Sequence, residues 1–143
     1  MSIRVTAEAT VNPTEDERKV QRALLNIFPE SKVERVSKLN GVVTLRIQGG
    51  DLNFLSTFRS IIRQERIRGA ARKILMSKSG RGHVMIFLHK QAAYVGRVSF
   101  CEPEGESPLG PITIQIVSAS PQSVIDYLAA SPGQDGFQRS RET

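Results

Sequence analysis

Apolar and polar side chains alternate strictly over residues 2–11 at the start of the chain. The apolar set comprises Ile3, Val5, Ala7, Ala9 and Val11. This period of two is that of a β-strand with one buried face and one face left to solvent. Strands of this kind form antiparallel sheets that are covered on one side, which narrows the folds open to the rest of the chain.

A helix is predicted directly after this strand. Pro13 precedes Thr14 and Glu17, which have the spacing of a capping box. In such a box the Thr14 hydroxyl and the Glu17 carboxylate satisfy backbone N–H groups. Apolar residues then recur at helical spacing until Phe28 and Pro29 end the pattern.

A β-hairpin and a second helix are predicted next. Two strand-like runs, 33–39 and 42–48, flank Asn40-Gly41, and this dipeptide suits the positive backbone angles of a two-residue hairpin turn. Asp51 then caps a helix that is predicted to extend to about Ile67.

The remaining elements follow a predicted break at Gly69, beyond which the helical pattern continues to Leu75. Residues 84–88 are apolar on both faces, as in a central strand or a strand covered by a second subunit. Further strands are predicted over 94–100 and 112–117, and a closing helix over about 121–130.

This order of strands and helices indicates an α+β fold of the split βαβ type, with an antiparallel sheet and helices on one face. The chain has 143 residues, enough for one domain with its own core. We predict a single domain over residues 1–130. Residues 131–143 have the composition of a disordered tail.

The positive charge of the chain is concentrated in one segment, from residue 59 to residue 81. This segment carries a charge of +7, because it holds one acid, Glu65, whereas the other 120 residues sum to −1. Its basic residues are Arg59, Arg63, Arg66, Arg68, Arg72, Lys73, Lys78 and Arg81. On one continuous helix the first three of these would lie within an arc of roughly 60°.

A phosphate-bearing partner explains this segment best. Six of its eight basic residues are arginines, and the guanidinium group pairs with phosphate oxygens in a bidentate geometry that lysine lacks. Two alternatives stay open. The positive charge is neutralised by Glu102, Glu104 and Glu106 or by acids of a second subunit, or else it only keeps the helix soluble.

The kind of nucleic acid is narrowed by the shortage of aromatic residues. Residues 81–88 begin like the RNA-recognition signature of RRM domains, but His83, Met85 and Leu88 stand at its aromatic positions. Aromatic residues make up 6% of the chain, which disfavours a platform for stacking single strands. We therefore predict recognition of the backbone and shape of structured or double-stranded RNA.

No enzyme site, cofactor or metal is predicted. His83 and His89 would lie too far apart on one strand to share a metal ion, and Cys101 has no basic neighbour in sequence to activate its thiol. The known nucleotide-loop, zinc and hydrolase motifs do not occur. No membrane span or signal peptide is predicted, and a lone cysteine fits a reducing compartment, so we expect a cytoplasmic protein.

Three segments resemble an archaeal family of uncharacterised proteins of the UPF0201 type, described as predicted RNA-binding or exosome-associated. They are residues 1–29, RQERIRGAARKIL at 63–75, and SPLGPITIQI at 107–116. The resemblance covers about residues 1–130. It implies a fold similar to the ribosomal protein of the large subunit that binds 5S ribosomal RNA, and a homodimer. It also implies that Arg63, Arg66 and Arg72 belong to the family's basic helix, and it brings no catalytic residues.

The sequence therefore predicts a non-catalytic RNA-binding protein that contacts phosphates through all eight basic residues of the segment. The alternative is a subunit of a homodimer or of an RNA-processing complex, in which the basic helix meets an acidic protein surface.

Overall fold

The structure is a computed structural model, and it describes residues 2–102 and 109–131. Within these ranges a six-stranded sheet is covered by helices on one side. The strands are β1 (Ile3–Val11), β2 (Glu34–Leu39), β3 (Val42–Gly49), β4 (Ser79–Gly80), β5 (His83–Leu88) and β6 (Ile112–Ser118). The helices are α1 (Glu17–Ile27), α2 (Ser56–Gln64), α3 (Arg68–Ser77), α4 (Lys90–Tyr94) and α5 (Pro121–Leu128).

The strands lie in the order β2-β3-β1-β6-β5-β4, and every neighbouring pair is antiparallel. The first strand is therefore near the centre, where it pairs with β3 on one side and β6 on the other. This arrangement confirms the predicted α+β class and the antiparallel sheet.

Burial alternates along the strands and confirms that the helices pack on one face. Side chains on the helix side, such as Val5 of β1, Ile86 of β5 and Ile114 of β6, are fully buried and join one core with the helices. Their neighbours on the other side are half-buried or exposed. Within the described ranges, each helix is too short or too polar to span a membrane.

The predicted hairpin is confirmed in detail. Asn40 and Gly41 have φ angles of 53° and 79°, the positive values that a two-residue turn of type I′ requires at both central positions. Asp51 also caps as predicted, since its Oδ1 accepts a hydrogen bond from the Phe54 N–H at 3.0 Å. It caps a short 3₁₀ segment, Leu52–Leu55, that leads into α2.

The predicted capping box at Thr14 is wrong. The first helix begins at Glu17, and the cap is Asp16, whose Oδ1 accepts a hydrogen bond from the Arg18 N–H at 2.9 Å. Glu15 turns back instead to accept a hydrogen bond from the Asn12 N–H at 2.9 Å. Several acidic and polar residues in succession offered more than one possible cap, and the sequence did not distinguish among them.

The predicted strand at 94–100 is also wrong. Residues 90–94 form α4, a turn follows at Gly96 with φ of 80°, and Phe100 alone bridges to Leu88 of β5. The fifth strand, in turn, lies beside the two-residue β4 near one edge of the sheet. Its odd-numbered residues face the side without helices, so helices cover this strand on one face only, and cover of the other face by a second subunit stays a prediction.

Candidate nucleic-acid interface

The basic segment forms two helices joined by a tight turn, where the sequence predicted one helix to about Ile67 and a break at Gly69. The second helix, α2, ends at Gln64, and α3 begins at Arg68. The Arg66 N–H donates to the Arg63 carbonyl at 3.1 Å, and the Ile67 N–H to the Ile62 carbonyl at 3.2 Å. These two bonds form a Schellman motif, which closes the end of α2.

Arg66 occupies the left-handed position of this motif, with φ of 57°. Glycine is preferred there because any Cβ crowds the backbone, at a cost of about 1 kcal/mol or more. The Arg66 side chain is exposed and has no ion pair among the described residues. The chain thus keeps a strained arginine at a sharp turn on its surface.

The single acid of the segment does not neutralise this turn. Glu65 Oε2 accepts a hydrogen bond from the Val98 N–H at 3.0 Å, and Oε1 lies 3.9 Å from Arg97 Nε. The carboxylate is mostly buried and is directed to the segment after α4. Glu65 therefore joins two parts of the fold.

Two of the predicted phosphate ligands contact the C-terminal end of α5. Arg59 Nε donates to the Tyr127 carbonyl at 2.8 Å, and its guanidinium lies over the Tyr127 ring at 4.9 Å. Arg72 Nη1 donates to Asp126 Oδ1 at 2.8 Å and to the Ala129 carbonyl at 3.0 Å. The last carbonyls of a helix lack partners within it and carry partial negative charge, so both arginines stabilise this helix end.

The other basic residues lie on or near the outer surface of α2 and α3. Arg63 and Lys73 are exposed, and Arg68 is half-buried at the first position of α3. Lys78 donates to Glu102 Oε2 at 2.9 Å, and Arg81 is exposed in the turn between β4 and β5. Glu104 and Glu106, which were also considered as neutralising acids, lie outside the described residues.

A buried ion pair at the C-terminal end of β1, which the sequence pattern does not reveal, joins α4 to the turn before α1 and to the segment before β6. Lys90 Nζ donates to the carbonyls of Thr10 at 2.6 Å and Leu109 at 2.8 Å, and to Glu15 Oε1 at 3.0 Å. Burial lowers the pKa of Lys90, and the neighbouring Glu15 carboxylate opposes this effect in part. Lys90 lies between His89 and Gln91 in the sequence, and this polar context gives no signal that the lysine is buried.

Glu15 is held as a carboxylate in this network. Burial alone would raise its pKa, but hydrogen bonds from Asn12 and Lys90 outweigh burial, so the pKa lies below its usual value. All three protons of Lys90 have acceptors, which describes a structural cation. Among the described residues, no three His, Cys, Asp or Glu side chains cluster closely enough to hold a metal ion.

A family model described as RNA binding matches residues 4–118 of the chain. Proteins named UPF0201 from two archaea are similar over most of their length. The Metallosphaera sedula protein is 41% identical over 129 residues, or 88% of this chain and 87% of the relative. The Aeropyrum pernix protein is 42% identical over 140 residues, or 96% and 93% of the two chains. The chain belongs to the UPF0201 family.

The fold of a solved UPF0201 protein agrees with this assignment. The crystal structure of the Methanococcus jannaschii UPF0201 protein superposes with a TM-score of 0.77 at 30% identity, covering 90% of this chain and 93% of that one. A DUF54 protein of Methanothermobacter thermautotrophicus shares the fold, with a TM-score of 0.58, at 21% identity and coverage of 90% and 99%. The predicted likeness to the 5S-RNA-binding ribosomal protein and the exosome association stay predictions.

The stretch of chain matched by the RNA-binding family model includes the whole basic segment and all six strands except Ile3 of β1, and it ends at the last residue of β6. The fifth helix lies outside it. The names of the UPF0201 relatives describe no reaction.

Proposed function

We propose that this UPF0201 protein binds structured RNA by its phosphate backbone, without catalysis, through the outer surface of α2, α3 and the turn that follows them. The contacts come from the eight basic residues predicted above. Arg63, Arg66, Arg68, Lys73 and Arg81 form the principal set. Arg59, Arg72 and Lys78 border it, held there by carbonyl and carboxylate partners.

The observation that carries this proposal is the left-handed arginine at position 66. A residue kept in a strained conformation that glycine would relieve indicates a use for its side chain. The side chain lies on the surface between two helices that carry further cations, and no described carboxylate pairs with it. A run of phosphates supplies regularly spaced negative charge that fits such a turn. The family description, RNA binding, supports the same class of partner.

The test is RNA binding measured by fluorescence anisotropy on nuclease-treated protein, across a salt series. We expect a structured RNA to bind more tightly than duplex DNA, with the logarithm of affinity falling linearly with the logarithm of salt concentration. Replacing Arg63 and Arg66 by glutamate should weaken binding and flatten this salt dependence.

The chain offers a control with the same change of charge. Arg18 and Arg22 are exposed on α1, four residues apart, and have no ion pair among the described residues. Replacing both by glutamate alters the net charge by the same amount at another surface. Equal losses of affinity in the two double variants would mean that the net charge of the protein, and not this surface, binds the RNA.

A second candidate function is assembly, as a homodimer or as a subunit of an RNA-processing complex. It is favoured by Met76 of α3, whose residue surface is 46% exposed, because it adds an apolar contact beside Lys73 on the same helix. In this case an acidic protein surface would meet the basic helices. A partner that stays bound after nuclease treatment, and is lost in the Arg63 and Arg66 double variant, would favour assembly over RNA binding.

A further inference from the structure

The face of the sheet that carries no helix is a second surface with its own chemistry. Its side chains come from alternate positions of the strands, and none of those described on β1, β3, β5 and β6 is fully buried. They include Arg4, Thr6, Glu8, Thr44, Arg46, Gln48, His83, Met85, Phe87, Thr113, Gln115 and Val117. We call this surface the open face.

The strand register places an apolar cluster at one end of the open face. His83 is opposite Val117, which in turn is opposite Arg4, and one rung along β5 Met85 is opposite Gln115. Phe87 follows on the next rung, opposite Thr113. Imidazole, thioether and phenyl groups therefore project from three successive rungs of the same strand, with polar side chains beside them.

His83 is held in a defined position on this surface. Its Nδ1 lies 3.2 Å from the Arg81 carbonyl, and its ring covers Gly80, where an added Cβ would come within 2.6 Å of the imidazole. The absence of a side chain at Gly80 thus allows the ring to lie against β4. A ring fixed in this way has little conformational freedom left to lose when a base stacks on it.

Charge divides the open face into two halves. In the half formed by β2, β3 and the C-terminal part of β1, Arg46 lies between Glu8 and Glu34 in the register and makes an ion pair with Glu8. At the apolar end, Arg4 and Arg81 are exposed and have no ion pair among the described residues. Only the second half is basic.

We propose that this half of the open face binds unpaired nucleotides of the same RNA, with bases stacked on Phe87 and His83 and phosphates paired with Arg4 and Arg81. Gln115 supplies amide donors and acceptors for base edges. Flat and apolar groups beside arginines are the chemistry of single-strand binding, in which each stacked base contributes to affinity. A duplex backbone requires only the charges.

The position of Arg81 connects this surface to the proposed phosphate interface. The chain passes from α3 through Lys78, the two residues of β4, Arg81 and Gly82 into His83 of β5. The basic residues therefore continue around the edge of the sheet from the helix side to the open face. This inference rests on the proposed function, and it defines the ligand as a folded RNA with an unpaired extension.

The experiment compares a blunt RNA hairpin with the same hairpin carrying an unpaired extension that contains 2-aminopurine. We expect each stacked base of the extension to tighten binding by about 5- to 150-fold, and the extension to quench the 2-aminopurine fluorescence. The double variant His83→Thr, Phe87→Thr should lose both effects and bind the blunt hairpin as the wild type does. Phe87→Leu keeps an apolar side chain without the ring and should lose most of the quenching.

Val42→Thr is the matched control, since Val42 lies on the same face at the opposite side of the sheet. This inference is overturned if the extension does not increase RNA affinity, or if the His83 and Phe87 variants retain the increase. Binding of the blunt hairpin tests the proposed function separately. Failure to bind either RNA rejects the proposed function itself. Sedimentation of the same variants completes the test, because a change in oligomeric state would make the open face a subunit interface and overturn the inference.

Discussion

Lys90 and Glu15 form an ion pair with 3.0 Å between Nζ and Oε1, although only 7% and 10% of their side-chain surfaces are exposed. The pair ties the end of β1 to the beginning of α4 and to Leu109, the residue before the turn into β6. Leu109 belongs to the SPLGP segment at 107–111, and its carbonyl contact with Lys90 gives the described end of that segment a structural role.

Glu15→Gln should destabilise the protein in a pH-dependent way. Removing the carboxylate leaves the buried Lys90 charge without a counter-ion, at a cost of about 3 kcal/mol in the free energy of unfolding at pH 7. Because folding lowers the pKa of Glu15, its contribution is present above its unfolded pKa of about 4.3 and is lost as the pH falls through the folded pKa. Urea unfolding measured across a pH series should show the unfolding free energies of the wild type and the variant becoming equal at acid pH.

Glu17→Gln, the same change two residues later, serves as the control. Glu17 pairs with Arg35 at the surface, where 60% of the Arg35 side chain is exposed, and such pairs contribute little. The account of the buried pair would be contradicted if both variants lost the same free energy of unfolding. It would also be contradicted if the difference in unfolding free energy between wild type and Glu15→Gln stayed constant down to acid pH.

Arg66→Gly should separate stability from function. Glycine adopts the left-handed conformation without strain, so we expect the free energy of unfolding to rise by about 0.5 to 1 kcal/mol. RNA affinity should fall, because the cation is lost. Thermal unfolding and anisotropy binding of the same preparation check both parts, and Arg66→Lys should keep the strain and most of the affinity. A variant that gains stability and binds RNA unchanged would remove Arg66 from the interface.

Arg72 and Lys73 are neighbours that should respond in opposite ways. Arg72→Gln loses the bonds to Asp126 and the Ala129 carbonyl, so we expect a loss of about 1 to 2 kcal/mol in stability. Lys73→Gln removes an exposed charge and should leave stability unchanged while it weakens RNA binding. Denaturation and binding curves for both variants provide the check. The assignment of roles fails if Lys73→Gln destabilises the protein as much as Arg72→Gln does.

Gly49→Ala should destabilise the junction between β3 and the segment that precedes α2. A Cβ at Gly49 would lie 2.2 Å from the Phe54 ring, and that ring is stacked on Phe28 with 5.0 Å between centroids. Because the ring has little room to move, we expect a loss of about 1 to 3 kcal/mol. A Cβ at Gly50 would have no atom within 4 Å, so Gly50→Ala should leave the melting temperature unchanged. Similar melting temperatures for the two variants would refute the steric argument.

Local signals predicted the elements that depend on local chemistry. The alternation in β1, the Asn40-Gly41 turn and the Asp51 cap each rely on residues within a few positions of one another, and each is present in the structure. The antiparallel sheet with one covered face followed from these elements. The class of the fold was therefore available from the sequence.

One error arises where distant contacts override local preference, and another where an unusual residue hides a local motif. Residues 94–100 have strand-like composition, but Lys90 and Asn26 fix α4 and the turn after it, since Asn26 Nδ2 donates to the carbonyls of Ala93 and Tyr94 at 2.9 Å. The break at Arg66 escaped prediction because an arginine occupies the position that normally reveals a Schellman turn by its glycine.

The candidate interface was only partly accessible to sequence reasoning for the same reason. Charge alone grouped Arg59 and Arg72 with their exposed neighbours, whereas their contacts with α5 lie 68 and 57 positions further along the chain. His83 and Phe87 were set aside as parts of a failed RRM signature. Alternation along β5 places both rings on one face, but their position beside Gln115 and near Arg4 depends on the pairing of β5 with β6 and of β6 with β1, which the sequence does not display.

The central position of β1 has a consequence for synthesis of the protein. The first strand leaves the ribosome early, and β3 can pair with it once the hairpin has been made. Its other edge pairs with β6, from Ile3 opposite Ser118 onwards, so that edge has no partner until β6 has been translated. An unpaired strand edge invites pairing with other chains. Newly made copies should therefore be most prone to association shortly before β6 emerges, and a truncation that removes β6 should aggregate.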